Sequence, residues 1–433
     1  MLREIPKLIM QSETIDHIGR IENITGMAME ASGGGANIGD IVMIYDEEQR
    51  RQIQAEVVGF RKDKIQLMAY EEMNGIGTNS FVRNTKKRLK IPAGEFLRGR
   101  IIDALGRPID GKGEFTSQRY YYVENPKINP LSRPRIQEPL AFGVKAIDGL
   151  NMIGKGQRIG IFAGSGVGKS TLMGMIARNV KTDVNVIALV GERGREVLEF
   201  VEKDLGPEGM KRSVLVVATS DQPAMLRMKC PLVATTIAEY FKDQGKDVLL
   251  MMDSLTRFAM AQREIGLATG EPPVARGYTP SIYAEFPKLL ERCGNFKNGS
   301  ITGVYTVLVE GDDTNEPVAD TVRGILDGHI VLSRKLANAN HFPAIDINAS
   351  ISRLMAAIAG EEHKKMASEI RDILSIYAQN EDLISIGAYK AGTNPKLDYA
   401  VSKIQKVNDF LMQDVDEKRT VDEIISMMKQ ILR

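Results

Sequence analysis

The segment Ala163-Gly164-Ser165-Gly166-Val167-Gly168-Lys169-Ser170 constrains the fold of this chain more than any other stretch. It follows an apolar, strand-like run, Arg158–Phe162, and leads into the helical pattern Thr171–Asn179. A glycine-rich turn between strand and helix is the context that a phosphate-binding loop requires. Glycines let backbone N–H groups turn inward around phosphate oxygens, and the helix N-terminus adds partial positive charge. Gly164, Ser165, Gly166, Val167 and Gly168 are therefore expected to wrap the phosphates, with Thr171 in the first helical turn. Lys169 is expected to reach the terminal phosphates and Ser170 to ligate Mg²⁺. The first position is Ala163 rather than glycine, which leaves the Lys–Ser pair untouched. A plain glycine turn without phosphate is the alternative reading.

Two further strand ends carry carboxylates. Val248-Leu249-Leu250-Met251-Met252 is a wholly apolar run that closes on Asp253. A carboxylate at the C-terminal end of a buried strand lies at the sheet edge where ligands bind, so Asp253 is a candidate to hold Mg²⁺ through water. Gly191-Glu192-Arg193 follows the apolar run Val184–Val190. Glu192 is either the base that orients an attacking water or a solvated carboxylate favoured by a helix start, and the residues alone leave both open.

These runs belong to a larger alternation. Arg158–Phe162, Val184–Val190, Ser213–Ala218, Val248–Met252 and Ile301–Val309 read as strands with helical stretches between them, the signature of a mostly parallel α/β sheet. Before it, residues 18–90 hold short strands (Ile38–Tyr45, Gln52–Phe60, Lys64–Ala69) separated by Gly, Asn and Asp turns, which predicts a small barrel. Gly33-Gly34-Gly35 is read there as a turn. Pro126, Pro130, Pro134 and Pro139 mark an extended connector. Beyond about Ala359 the strands stop, and Glu362–Gln379, Pro395–Met412 and Val421–Leu432 read as amphipathic helices. The expected architecture is a tail (1–17), a barrel (18–90), an α/β core (91–360) and a helical domain (361–433).

Composition excludes several classes. Lys+Arg total 57 against 56 Asp+Glu, a net charge of +1, which argues against a dedicated nucleic-acid binder. The cluster Lys86-Lys87-Arg88 is expected to be a solvated charge run in a connector. Cys230 and Cys293 form no CxxC pair, and the four histidines are dispersed, so neither a zinc site nor a disulfide framework is expected. No apolar run approaches the roughly 18 residues of a membrane span, and Met1–Met10 reads as lacking a signal-peptide core. A cytoplasmic protein is expected, reaching the inner face of a membrane only through partners.

Several segments together resemble the F1/V-type and type III secretion ATPase family: the phosphate loop, Gly191-Glu192-Arg193, Asp253-Ser254-Leu255-Thr256-Arg257-Phe258, and Pro343-Ala344-Ile345-Asp346-Ile347-Asn348-Ala349-Ser350-Ile351-Ser352 with Arg353 after it. The resemblance covers residues from about 91 to 433 and, more loosely, the barrel. It implies a RecA-like nucleotide-binding core that hydrolyses ATP with Mg²⁺. It implies that Lys169 and Ser170 serve phosphate and metal, that Glu192 is the catalytic carboxylate, and that Arg193 and Arg257 lie near the γ-phosphate. Arg353 matches the finger that one subunit inserts into its neighbour's site, hence a homo-hexamer. Phe342 and, after it, Phe410 match aromatics flanking the adenine; ordinary core packing is the alternative reading of both.

Within the family, Ile386–Pro395 is not acidic as in rotary synthase β subunits and looks like the type III export ATPases. The flagellar members are favoured over the injectisome members on Phe162–Ser170 and the barrel. That branch implies a central coiled-coil stalk, an export gate at the membrane, export substrates and chaperones as partners. It also implies a dimeric stator-like protein on the tail, where Leu2, Ile5, Leu8 and Ile9 fall near one helical face despite Pro6. Two other classes fit these residues less well. A non-catalytic ring subunit would usually lack a carboxylate at Glu192. An RNA translocase would want an aromatic, basic strand-binding face on the barrel, which carries few aromatics.

Overall fold

The structure, a computed structural model, describes residues 18–33, 35–46, 51–124, 129–309 and 316–433. The tail at 1–17, Gly34 and Pro126 lie outside the described residues.

Six strands close an antiparallel barrel: β1 (Ile18–Thr25), β2 (Ala28–Ser32), β3 (Asp40–Tyr45), β4 (Gln52–Arg61), β5 (Lys64–Ala69) and β6 (Phe81–Arg88), in the order β1-β2-β5-β4-β3-β6. Strict alternation drives it. In β3, Val42 and Ile44 point inward with Ile21, Met29 and Leu67, while their neighbours are partly solvated. Lys86-Lys87-Arg88 is not a connector. Lys87 and Arg88 end β6, opposite Ile41 and Asp40. A register shift in β6 hides the period-two pattern that would have revealed the strand.

The core is a sheet whose main path has the order β14-β13-β8-β12-β11-β9-β10-β7. Its members are β7 (Arg100–Asp103), β8 (Arg158–Ala163), β9 (Val184–Glu192), β10 (Ser213–Thr219), β11 (Asp247–Asp253), β12 (Ser300–Leu308), β13 (Gly328–Leu332) and β14 (Ile345–Ser352). β7 through β13 run parallel and β14 runs antiparallel to β13. The five strands expected from apolar runs are all present. β7, β13 and β14 are additions, and their short or mixed patterns carry no run long enough to read. Helices cover both faces, among them α1 (Lys145–Leu150), α2 (Lys169–Asn179), α3 (Gly194–Glu199), α4 (Ala224–Asp243), α5 (Leu255–Ala268) and α6 (Pro317–Ile325).

The barrel is bolted to this core. Ala28, Met68 and Tyr70 are buried in the same apolar cluster as Val233 and Ile237 of α4. Lys229 of α4 meets Glu56 of β4 at 2.7 Å, and the Tyr70 hydroxyl donates to the same carboxylate. Glu56 and Lys229 are 6% and 3% exposed, so this ion pair is out of water.

The helical domain comprises α7 (Glu361–Ser385), α8 (Pro395–Leu411) and α9 (Val421–Leu432). α7 runs on past the expected Gln379. The Asn394 side chain caps α8, Pro395 sits in its first turn, and Thr420 and Glu423 form a capping box on α9. Ile370, Ile373, Ile424 and Met428 bury one face against α1 and the adjoining face of the sheet. Arg371 donates to the carbonyls of Ile347 and Leu150 at 2.6 and 2.8 Å. Among the described residues no helix is long and apolar enough to cross a membrane.

Candidate functional site

The loop after β8 has the geometry its sequence requires. Gly166 and Gly168 adopt φ of 78° and 85°, where a side chain would be strained, and the second opens α2 at Lys169. Three strand ends converge beside it. The Lys169 ammonium pairs with the Asp253 carboxylate at the end of β11 and lies 3.7 Å from Glu192 at the end of β9. Thr306 of β12 donates to Asp253 at 2.7 Å. Arg257 of α5 donates to the Gly191 carbonyl at 2.6 Å and its guanidinium stands 3.6 Å from Glu192. Ser170 is exposed at the mouth.

Glu192 is the most perturbed group here. Its side chain is 9% exposed, and its Oε1 is buried without a hydrogen-bond partner. Burial, then the charge of Asp253, pushes its carboxyl up to about 7; Lys169 pulls the other way, and a hydrogen bond to Glu196 of α3 adds to the rise. Glu196 is held below the usual range by that bond. A buried carboxylate with one oxygen free of hydrogen bonds, beside a phosphate loop and two cations, suits a group that takes a proton from water.

Arg353 stands elsewhere. β13 runs parallel to β8, with Gly160 beside His329 and Ala163 beside Leu332. β14 returns antiparallel and sets Ser352 against Gly328. Arg353 therefore lies at the start of β8, while the phosphate loop leaves its far end, about 15 Å away at about 3.3 Å per residue. Its N–H donates to the Asp327 carbonyl at 3.0 Å, and Asp327 grips Arg158, the first residue of β8, at 3.0 Å. The Arg353 side chain is exposed, with one long contact of 3.4 Å to the Arg323 carbonyl.

The comparisons with known proteins agree along the whole chain. Residues 21–86 match the β-barrel domain of the ATP synthase alpha/beta family and 143–352 its nucleotide-binding domain. Residues 359–430 match the T3SS EscN ATPase C-terminal domain. The flagellum-specific ATP synthase of Bacillus subtilis is 52% identical over 424 residues, which is 98% of this chain and 97% of that protein. This chain is a type III secretion ATPase of the ATP synthase α/β family. The structure of the assembled ATPase EscN from the enteropathogenic E. coli type III secretion system superposes with a TM-score of 0.91 at 44% identity, covering 96% of this chain and 100% of that one. EscN in complex with its central stalk EscO gives 0.88 at 44% identity, with the same coverage. The flagellum-specific members are thus relatives over nearly the full length, and injectisome ATPases share the fold closely.

For this secretion ATPase the structure brings Lys169, Glu192, Asp253 and Arg257 together, with Gly164–Thr171 around them. It keeps two expected residues apart. Arg193, next in the chain after Glu192, reaches out to solvent: its side chain is 73% exposed and pairs at 3.5 Å with Glu196, the carboxylate bonded to Glu192, so it stands one residue removed from the loop. Phe410 is 3% exposed within the apolar cluster, set against Gly149 of α1, so it packs the helical domain onto the core and offers no free ring face to a base. Phe342 is different. It is 40% exposed, and its ring lies 3.5 Å from where a Cβ on Gly168 would sit. Sequence reasoning missed Glu196 and Thr306. The first had a signal, a carboxylate one helical turn after Glu192; the second had none, because β12 and β11 are neighbours only in the sheet.

Proposed function

We propose that this ATPase hydrolyses MgATP at sites completed by a neighbouring copy in a homo-hexameric ring, and that hydrolysis serves protein export through a flagellar type III apparatus. The carrying observation is the placement of the charges: Lys169, Glu192 and Asp253 converge at one end of β8, while Arg353 stands exposed at the other. Arg353 cannot serve its own phosphate loop across the length of the strand. A subunit packed against that edge would receive it.

The residues divide the work. Backbone N–H groups of the loop and Lys169 hold the phosphates, Lys169 leaving Asp253 to do so. Glu192 takes the proton of the attacking water, with Arg257 and Lys169 favouring its charged form. Arg353 of the next copy meets the charge that develops on the transferring group, with no proton cost. Phe342 covers the base. Among the described residues no group of three or more His, Cys, Asp or Glu is placed to hold a metal alone. The buried Asp253 carboxylate at the end of β11 and the exposed Ser170 at the start of α2 instead fit a cation that arrives with the substrate phosphates. Ser170 and Asp253 would hold Mg²⁺, which neutralises phosphate charge. Arg193 takes no part in this scheme.

A cytoplasmic protein acting at the inner face of the membrane through partners fits this role: a central stalk like that seen with EscN, an export gate, export substrates and their chaperones, and a dimeric stator-like protein on residues 1–17. Nucleic acid is not among them. Deleting Met1–Gln11 should abolish capture of the stator-like protein and leave basal hydrolysis intact.

The test of the shared site mixes Arg353→Ala subunits with Lys169→Ala subunits, each inactive alone. Some interfaces then pair an intact loop with an intact Arg353, and part of the activity should return. No recovery under ring-forming conditions, while wild-type subunits added to either variant stay active, would refute it.

A further inference from the structure

Gln413 lies in the turn after α8 and is 6% exposed. A glutamine has one acceptor and two donor hydrogens, and all three are used here. Its Oε1 accepts from the Lys145 N–H at 2.7 Å, and its Nε2 donates to the carbonyls of Gly143 and Glu417, each at 2.9 Å. Its own backbone N–H donates to the Phe342 carbonyl at 2.9 Å. One side chain thus ties the turn before α1 to the helical domain, and its main chain fixes the residue whose ring overhangs the phosphate loop.

The surroundings make the tie stiff. Asp148 accepts from the N–H groups of Phe142 and Gly143 at 2.8 and 2.7 Å and so holds the same turn from the other side. The Lys145 ammonium meets Glu417 at 3.3 Å, closing the circuit. No apolar residue of similar size could replace Gln413 without leaving the buried Lys145 N–H unpaired and the Gly143 carbonyl with only a long bond of 3.5 Å from the Asn179 side chain. Phe410, three residues earlier, is fixed in the apolar cluster, so the segment carrying Gln413 is anchored on both sides.

We propose that Gln413 is a positioning residue for nucleotide recognition: it holds the Phe342 ring where the purine base of ATP stacks, and so makes base affinity depend on the seating of the helical domain. This rests on the reading of Phe342 as the residue that covers the base. The ligand feature it serves is the base alone. The phosphates are held by the loop after β8, which Gln413 does not touch.

The experiment uses the full-length ATPase and two probes, ATP and inorganic tripolyphosphate, which has the phosphates without the base. Gln413→Met keeps length and removes the three bonds; Gln413→Glu keeps an acceptor and loses both donors. Either variant should raise KM for ATP about fivefold to tenfold, the scale of one aromatic contact, and change kcat less than about twofold. Inhibition by tripolyphosphate should keep its wild-type constant. Phe342→Ala should raise KM similarly, and Gln413→Met added to it should raise KM no further. A parallel loss of tripolyphosphate inhibition, or a full further rise in the double variant, would mean that Gln413 only supports the fold and would overturn the proposal. If Gln413→Met does not fold, Gln413→Glu decides alone on the same readouts. If Phe342→Ala raises KM and both Gln413 variants leave it unchanged, the positioning role fails while the base reading stands; if Phe342→Ala leaves KM unchanged, the base reading fails and takes the proposal with it.

Discussion

The two ends of β8 carry opposite kinds of charge environment. At its C-terminal end Lys169 is 13% exposed, already paired with Asp253 and close to Glu192. At its N-terminal end Arg353 is exposed, and among the described residues its guanidinium makes one long contact, to a carbonyl. The first end is a preorganised pocket in which Lys169, Asp253 and Glu192 are desolvated against one another. The second is a charge held out on a fixed backbone with no counter-charge among the described residues. A cation that must meet a ligand held by its own subunit belongs in the first setting. A cation destined for someone else's ligand belongs in the second, because pairing it at home would cost the energy of breaking that pair at every contact.

This contrast can be broken by substitution, and the largest effects come first. Lys169→Ala should lower ATP turnover by at least about a thousandfold and weaken ATP binding with it, since one charge-assisted contact to the phosphates is lost. Retention of a tenth of wild-type turnover would end the assignment. Arg353→Ala should lower turnover by about a thousandfold or more but leave ATP binding by the isolated subunit at its wild-type level. Equal loss of binding would place Arg353 at its own subunit's site and erase the difference between the ends.

Glu192→Gln should lower turnover by about a hundredfold or more with ATP affinity kept, because the amide preserves shape and removes the proton acceptor. If binding fails to the same degree, Glu192 is a structural group. A smaller effect follows from its ionisation. The carboxyl rises from 4.5 to about 7 on folding. The folded protein then binds the extra proton between those values, so this group's stabilising contribution is present below the lower value and lost as pH rises through the upper one. Glutamine does not titrate. The nucleotide-free Glu192→Gln variant should therefore melt a few degrees above wild type at pH 8, and the gap should close towards pH 5. In the same window kcat/KM of the wild type should fall as pH drops below about 7, as the base takes up its proton. A flat profile would contradict the role of Glu192.

Much of the preorganised end was legible in the chain, and for a physical reason. Lys169, Ser170, Glu192 and Asp253 each follow an apolar strand, and a strand end in a parallel sheet is where such groups gather, so local pattern carried distant geometry. The exposed end was not legible in that way. β13 and β14 have mixed patterns, and the position of Arg353 depends on how they pair with β8. Arg193 shows the limit of motif reasoning: adjacency to Glu192 in sequence puts its side chain in solvent on Glu196 rather than against the phosphate loop. Phe410 shows another, since an aromatic that packs and one that stacks on a ligand look alike until burial separates them. Gln413 had no signal at all. Its partners Gly143 and Lys145 lie 270 and 268 residues away.

The bolt between barrel and core has a consequence for inheritance. Glu56 and Lys229 are buried against each other with Tyr70, and loss of one partner from such a pair costs about 3–5 kcal/mol because the survivor is left charged and dry. Neither position can drift alone. A barrel transplanted from a relative with a neutral residue at position 56 would strand Lys229, and the hybrid should fail unless position 229 is exchanged as well. The two modules therefore travel as a matched set, and the lock that matches them lies far from any nucleotide.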